Sequence, residues 1–174
     1  MKGLEQKIRN VPDFPKPGIG FKDITTLLKD GSAFQDCINQ MAVHVKAEEI
    51  DLIVGTESRG FIFAAALAYK LGKGFVPVRK PGKLPAATIK ETYDLEYGTD
   101  SLEIHVDAIQ SGARVLIIDD LLATGGTVAA TVKLIERLKG RVVAIGFLIE
   151  LTFLRGRDKL KEYQVFSLIA YDSE

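Results

Sequence analysis

Residues Val115 to Thr127 constrain this chain more than any other stretch. They read Val-Leu-Ile-Ile-Asp-Asp-Leu-Leu-Ala-Thr-Gly-Gly-Thr. The opening apolar run suits a strand buried on both faces of a parallel sheet. Asp119 and Asp120 stand where that strand is expected to end. Thr124, Gly125, Gly126 and Thr127 then make a short loop, and Val128, Val132, Ile135 and Leu138 mark the inner stripe of a following helix. Ligands of open α/β sheets bind outside the carboxyl ends of the strands. A glycine loop at a helix N-terminus offers N–H groups to a phosphate, and the threonine hydroxyls can donate to it as well. Carboxylates beside such a cradle suit sugar hydroxyls or a hydrated Mg²⁺. The stretch describes a site for a phosphorylated sugar. Adjacent strand residues face opposite ways, so both carboxylates reach one ligand only at the strand-to-loop transition.

The rest of the chain supplies strands and helices in alternation. Residues 2–9 read as a short helix, 10–20 as a proline-rich loop, and a short strand falls within 21–28. Ser32 followed by Gln35 has the capping-box form, ahead of an amphipathic helix over 33–47. Residues 52–54 and 75–79 are strands, separated by an alanine-rich helix that ends near Leu71. Residues 80–90 form a basic loop. Strands over 92–97 and 102–106 form a hairpin or flap around Gly98, with His105 on its wet face. Further strands cover 142–150 and 163–169, and Gly140 closes the helix before them. This order implies one α/β domain: a doubly wound, mainly parallel five-stranded sheet with flanking helices. The flap (80–106) and the N-terminal segment (1–30) are additions to that core.

Composition narrows the function classes. Lys+Arg and Asp+Glu both number 23, so the chain carries no net charge that would favour nucleic acid or an anionic membrane. No apolar run is long enough to span a bilayer. Cys37 is the single cysteine, on the apolar face of a helix, so no intrachain disulfide forms and a reducing, cytoplasmic setting is expected.

Two further segments suit anions. Glu57-Ser58-Arg59-Gly60 repeats the strand–turn–helix arrangement, with Arg59 as its cation. Arg79-Lys80-Pro81-Gly82-Lys83 concentrates three cations after a strand end, which points Arg79, Lys80 and Lys83 toward a pyrophosphate.

The stretch 115–127 resembles the phosphoribosyl diphosphate signature of the type I phosphoribosyltransferases. Phe14 to Ile19, Glu57 to Phe61, Val76 to Pro85 and Tyr93 to Gly98 are similar to the adenine-specific branch of that family, and the resemblance runs from about residue 4 to 155. It implies transfer of a phosphoribosyl group from 5-phospho-α-ribosyl 1-diphosphate to adenine, giving AMP and diphosphate in purine salvage, with Mg²⁺ as cofactor. It implies that the flap closes over the active site and that the N-terminal segment is a small base-binding hood, and it assigns Ala123, Thr124, Gly125, Gly126 and Thr127 to the 5′-phosphate loop. Asp119 and Asp120 face the ribose hydroxyls, with the metal held through substrate and water and not by protein ligands. Arg59 serves the pyrophosphate, Phe21 stacks on the base, and backbone from Ile19 to Lys22 reads its edge. Glu96 is the expected catalytic carboxylate, alongside Arg59, and Tyr97 packs over the pyrophosphate side. Lys22 stands where the family commonly has Arg. The resemblance also implies a homodimer. The alternatives are a phosphoribosyltransferase for another purine and a non-catalytic sensor of the phosphosugar. Ala123 fills a position where 6-oxopurine enzymes usually carry Asp.

Overall fold

The computed structural model describes residues 3–95 and 98–173. In chain order it contains strands β1 (Arg9–Val11) and β2 (Phe21–Asp23), helices α1 (Thr25–Leu28) and α2 (Gly31–Val43), strand β3 (Leu52–Thr56), helix α3 (Gly60–Leu71) and strand β4 (Gly74–Val78). Strands β5 (Thr88–Leu95), β6 (Gly98–His105) and β7 (Arg114–Leu122), helix α4 (Gly126–Arg137), and strands β8 (Arg141–Leu151) and β9 (Val165–Tyr171) complete it.

Five strands form a central sheet in the order β4-β3-β7-β8-β9, and every pairing in it is parallel. The crossovers β3-α3-β4 and β7-α4-β8 put helices on both faces, as the alternating sequence requires. On β7, Leu116 and Ile118 pack with the residues of α2 and α3, including Met41, Phe63 and Leu67. Val115 and Ile117 point the other way, into the layer of Val128, Leu134 and Ile135 from α4 and Leu102 and Ile104 from the β5–β6 hairpin. Burial on both sides explains why β7 reads as an unbroken apolar run. Fully burying such aliphatic side chains contributes about 1.5–3 kcal/mol each. Cys37 is fully buried in the first layer, and burial pushes its thiol up to about 12.

Several local expectations are corrected. Among the described residues, only Leu4–Lys7 of the expected N-terminal helix is helical, as a 3-10 turn. Residues 9–11 instead pair antiparallel with β2, and the proline-rich segment is the connection between those strands. The cap of α2 is Asp30, whose carboxylate accepts from the Ala33 N–H at 3.1 Å. Ser32 serves that cap by donating to Asp30 at 2.8 Å. The helix stops at Val43, and His44 stacks on Phe166 with ring centroids 4.6 Å apart. The basic loop is shorter than expected, since β5 begins at Thr88. At the end of α4 the left-handed residue is Lys139 (φ 62°), not Gly140. Gly140 is needed for space: a Cβ there would lie 2.9 Å from side-chain methyls of Ile109 and Ile135.

Candidate active site

The carboxyl ends of β3 and β7 and the starts of α3 and α4 enclose a cavity of about 470 Å³. It is lined by Glu57 to Arg59 from one side and by Asp119 to Val128 from the other, with Phe147 of β8 beneath. Neither α3 nor α4 has a side-chain N-cap, in contrast to α2. At α3 the Phe61 and Ile62 N–H groups donate back to the Ser58 and Arg59 carbonyls at 3.2 Å each, whereas in α4 the first N–H to find a backbone carbonyl among the described residues is that of Ala129, to Gly125 at 3.0 Å, so the start of α4 is the arrangement that receives an anion.

The loop before α4 depends on two close approaches. Gly125 is the N-cap residue of α4 and adopts φ 79°, a left-handed conformation that glycine takes without strain. A Cβ there would also meet the Gly156 carbonyl oxygen at 2.5 Å. Across the cavity, a Cβ on Gly60 would sit 2.5 Å from Asp119 Oδ1. Glycine at 60 lets the β7 carboxylate approach the start of α3.

The strand does not end before the two acids. β7 continues to Leu122, yet Asp119 and Asp120 both line the cavity and are both buried. Asp119 folds back so that its Oδ1 accepts from the Asp120 N–H at 2.9 Å. Asp120 Oδ2 lies 2.7 Å from Arg59 Nε as an ion pair, but no donor among the described residues is aligned on it as a hydrogen bond. Burial pushes both carboxyls above the ordinary carboxylate range, and the neighbouring charge of Asp120 adds to the effect at Asp119. The positive charge of Arg59 opposes the rise at Asp120. Two adjacent, desolvated acids favour a bound cation or a hydroxyl-rich ligand. Among the described residues, no group of three or more His, Cys, Asp or Glu side chains is set to hold a metal ion.

Arg59 reaches from this cavity to the hood. Its guanidinium lies over the Phe21 ring at 5.2 Å. Phe21 in turn packs edge-on against Phe14 at 5.1 Å. The fold therefore joins the cavity residues Arg59, Asp119, Asp120 and Ala123 to Thr127 with the aromatic hood residue Phe21.

Other expected site residues are held elsewhere. Arg79 donates to Glu57 through Nε (3.3 Å) and Nη2 (3.1 Å), and to the Lys83 carbonyl at 3.1 Å. Burial works to raise the Glu57 carboxyl, but the bonds from Arg79 and the Lys80 N–H hold it below its ordinary value. Lys80 pairs its ammonium with Asp100 of the hairpin. Lys83 is exposed on the loop. Lys22 is buried, with Nζ 3.2 Å from Asn10 Oδ1 and 4.3 Å from the centre of the Tyr171 ring. Its side chain is directed to those partners, leaving its backbone for any base contact. Ile19 is exposed on the hood loop. Glu96 and Tyr97 lie outside the described residues.

Three features escaped the sequence reading. Glu57 organises the cationic loop, accepting from Arg79 and from the Lys80 N–H, although its motif points only to Arg59. Tyr93 accepts from the Thr127 hydroxyl at 3.3 Å and donates to Asp100 at 3.3 Å, linking the hairpin to the glycine loop. Gly156 backs the turn at Gly125 from thirty-one residues away in sequence, and no local pattern announces it.

The model of the phosphoribosyl transferase domain family matches residues 24–173. The chain is 62% identical over 168 residues to the adenine phosphoribosyltransferase of Alkaliphilus metalliredigens, covering 97% of this chain and 99% of that one. The chain belongs to the adenine phosphoribosyltransferase family. Within that family it is similar to the crystal structure from Thermoanaerobacter pseudethanolicus, with TM-score 0.94 and 59% identity over 97% of this chain and 98% of that one. It is also similar to the Saccharomyces cerevisiae enzyme complexed with adenine and D-2,5-dideoxy-2,5-imino-altritol 1,6-bisphosphate, with TM-score 0.89 and 45% identity over 95% and 96% of the two chains. Among the described residues no helix is long and apolar enough to cross a membrane.

Proposed function

We propose that the chain transfers the phosphoribosyl group of 5-phospho-α-ribosyl 1-diphosphate to adenine, releasing diphosphate and forming AMP. The reaction is that of a pentosyltransferase in purine salvage. What carries this reading is the position of Arg59, which touches Asp120 in the sugar-phosphate cavity and Phe21 in the hood. A base stacked on Phe21 gains about 1–3 kcal/mol by analogy with aromatic stacking of nucleic-acid bases. It would stand beside a ribose held at Asp119 and Asp120.

The chemistry asks little covalent work of the protein. The bond from the sugar to the diphosphate breaks, the bond to the base nitrogen forms, and the base loses a proton. Charge builds on the leaving diphosphate, and preorganised cations and N–H groups stabilise it. Arg59 supplies that charge, with Lys80 and Lys83 joining from the loop after β4. Thr124 to Thr127 hold the 5′-phosphate. The hairpin excludes water from the electron-poor sugar, and the catalytic carboxylate, Glu96, takes or shares the proton of the base.

The residues fit Mg²⁺ bound through substrate and water. Two adjacent buried carboxylates, one with an oxygen lacking a hydrogen bond, suit the edge of a hydrated cation. When bound, the ion neutralises part of the diphosphate charge. The protein's own part is to hold Asp119 and Asp120 in place for it.

The setting is cytoplasmic, as the lone buried cysteine suggests. The enzyme acts as a homodimer. A support for that is the outer face of α3, where Ile62 and Tyr69 leave apolar surface exposed, Tyr69 at 92%.

Base-panel turnover tests the function. With Mg²⁺ and the diphosphate donor, purified protein should convert adenine and barely touch hypoxanthine, guanine or xanthine. Comparable rates on a 6-oxopurine would overturn the specificity.

A further inference from the structure

The segment after β8 forms the back wall of the glycine loop. Gly156 is buried, and its carbonyl oxygen stands where a Cβ on Gly125 would lie at 2.5 Å. In the reverse direction a Cβ on Gly156 would run into the Ala123 carbonyl and reach the Gly125 nitrogen at 3.0 Å. The two backbones therefore touch with no side chain between them. Any shift of Gly156 is passed to the turn that sets the direction of the N–H groups at the start of α4.

The neighbouring residue fixes that wall. Arg157 donates through Nε to Glu150 Oε1 at 2.9 Å and through Nη2 to Glu150 Oε2. It also donates to the Val165 carbonyl at 2.8 Å and to Ser167 at 3.3 Å. Ser167 donates to Glu150 at 2.7 Å. The Glu150 side chain is only 8% exposed, at the carboxyl end of β8. Glu150 is also the register partner of Leu122, the last residue of β7 before the loop. The fork of Arg157 thus ties the segment to β8 and β9 at the level where the glycine loop leaves β7. A planar, bidentate pair of this kind fixes geometry as well as charge. None of these side chains lines the cavity.

We infer that Glu150, Arg157 and Gly156 are positioning residues for the 5′-phosphate, acting through the Ala123–Gly125 turn. The inference rests on the reading of Thr124 to Thr127 as the 5′-phosphate loop. Its ligand is the phosphate end of the donor and of AMP, not the diphosphate or the base.

Calorimetric binding of ribose 5-phosphate and of inorganic diphosphate separates the two ends of the site, alongside KM and kcat for donor and adenine. Gly156→Ala keeps the ion pair and moves only the wall. The double variant Glu150→Gln with Arg157→Gln removes the charges together and leaves no buried acid unpaired. Both should weaken ribose 5-phosphate and raise the donor KM by about tenfold or more, within the range that small misplacement costs. Diphosphate binding and the adenine KM should stay within about twofold, since their contacts do not pass through this wall. Arg157→Lys should recover only part of the loss. Unchanged ribose 5-phosphate affinity in both folded variants overturns the inference, as does an equal loss of all ligands. Thr127→Val is the control for the underlying reading. If it weakens ribose 5-phosphate while the wall variants do not, only the inference fails. If it has no effect, the phosphate-loop reading fails and the inference with it.

Discussion

Arg59 Nε lies 2.7 Å from Asp120 Oδ2, and the same guanidinium covers the ring of Phe21 at 5.2 Å. One side chain thus borders the acids, the start of α3 and the hood. Its removal strips a charge from the diphosphate side and leaves a buried carboxylate without its cation. Arg59→Ala should lower kcat/KM for the donor by roughly 10²–10³, as loss of a preorganised donor to a developing anion does. Arg59→Lys should restore little, because an ammonium cannot reproduce the flat fork that spans Asp120 and Phe21. Steady-state rates with the donor varied at saturating adenine check this, and a lysine variant near full activity would contradict it.

The two acids should cost stability. Burial raises the folded-state pKa of both Asp119 and Asp120, with the charge of Asp120 adding at Asp119. An unfolded Asp titrates near 3.9. Above that pH the unfolded chain has released protons that the folded chain still holds, so stability falls as pH rises from about 4 toward the raised folded value. Asp119→Asn keeps the oxygen that accepts from the Asp120 N–H and removes one charge. Its thermal midpoint should exceed that of the unsubstituted protein, by more at pH 8 than at pH 5, while its turnover falls. A lower midpoint at pH 8 would mean that the charged acid stabilises the fold.

How far the sequence disclosed this site follows from how local each feature is. Val115 to Ile118 sends alternate residues into two apolar layers, and a strand buried on both faces leaves a continuous apolar run that any reader can see. Thr124 to Thr127 works through backbone geometry set by its own residues, so its pattern carries its function. The pattern points to Ser32 as the cap, whereas the structure uses Asp30, two residues earlier. The choice between them is tertiary, because Asp30 also accepts from Lys7 at 2.6 Å, twenty-three residues away. Strand β1 is short and polar, and it exists only through its pairing with β2. The basic run was legible as charge, but its partners were not. Arg79 is bound to Glu57 and Lys80 to Asp100, pairings that depend on the sheet order and on the hairpin's register. Glu150 and Gly156 act on the loop from a distant segment, so no spacing rule could find them.

Thr56 offers a stability test free of the chemistry. It ends β3, is fully buried, and its hydroxyl has no hydrogen-bond partner among the described residues. A buried hydroxyl without a partner costs about 1–3 kcal/mol. Thr56→Val keeps the β-branched shape that suits a strand and replaces the hydroxyl with a methyl. It should stabilise the fold by about 1 kcal/mol, read as a higher urea midpoint with an unchanged slope. A lower midpoint would show that the hydroxyl is satisfied after all.

Lys80 tests how the hairpin and the donor compete for one cation. Its ammonium pairs with Asp100 on β6, Tyr93 on β5 donates to the same carboxylate at 3.3 Å, and the Thr127 hydroxyl donates to Tyr93 at 3.3 Å. If Lys80 serves the diphosphate, it must first leave Asp100, and binding pays for that release. The side chains of Lys80 and Asp100 are 41% and 28% exposed, so solvent screens the pair. Pairs of this kind are worth up to about 1 kcal/mol, or about fivefold in affinity. Asp100→Asn should therefore tighten inorganic diphosphate by up to about fivefold, and Lys80→Ala should weaken it. The combination decides the mechanism, because the gain from Asp100→Asn requires the lysine it frees. In a Lys80→Ala background the asparagine should add nothing, giving a coupling energy equal to the whole gain. Additive effects of the two substitutions would show that Asp100 acts on diphosphate through general charge repulsion and not by holding Lys80.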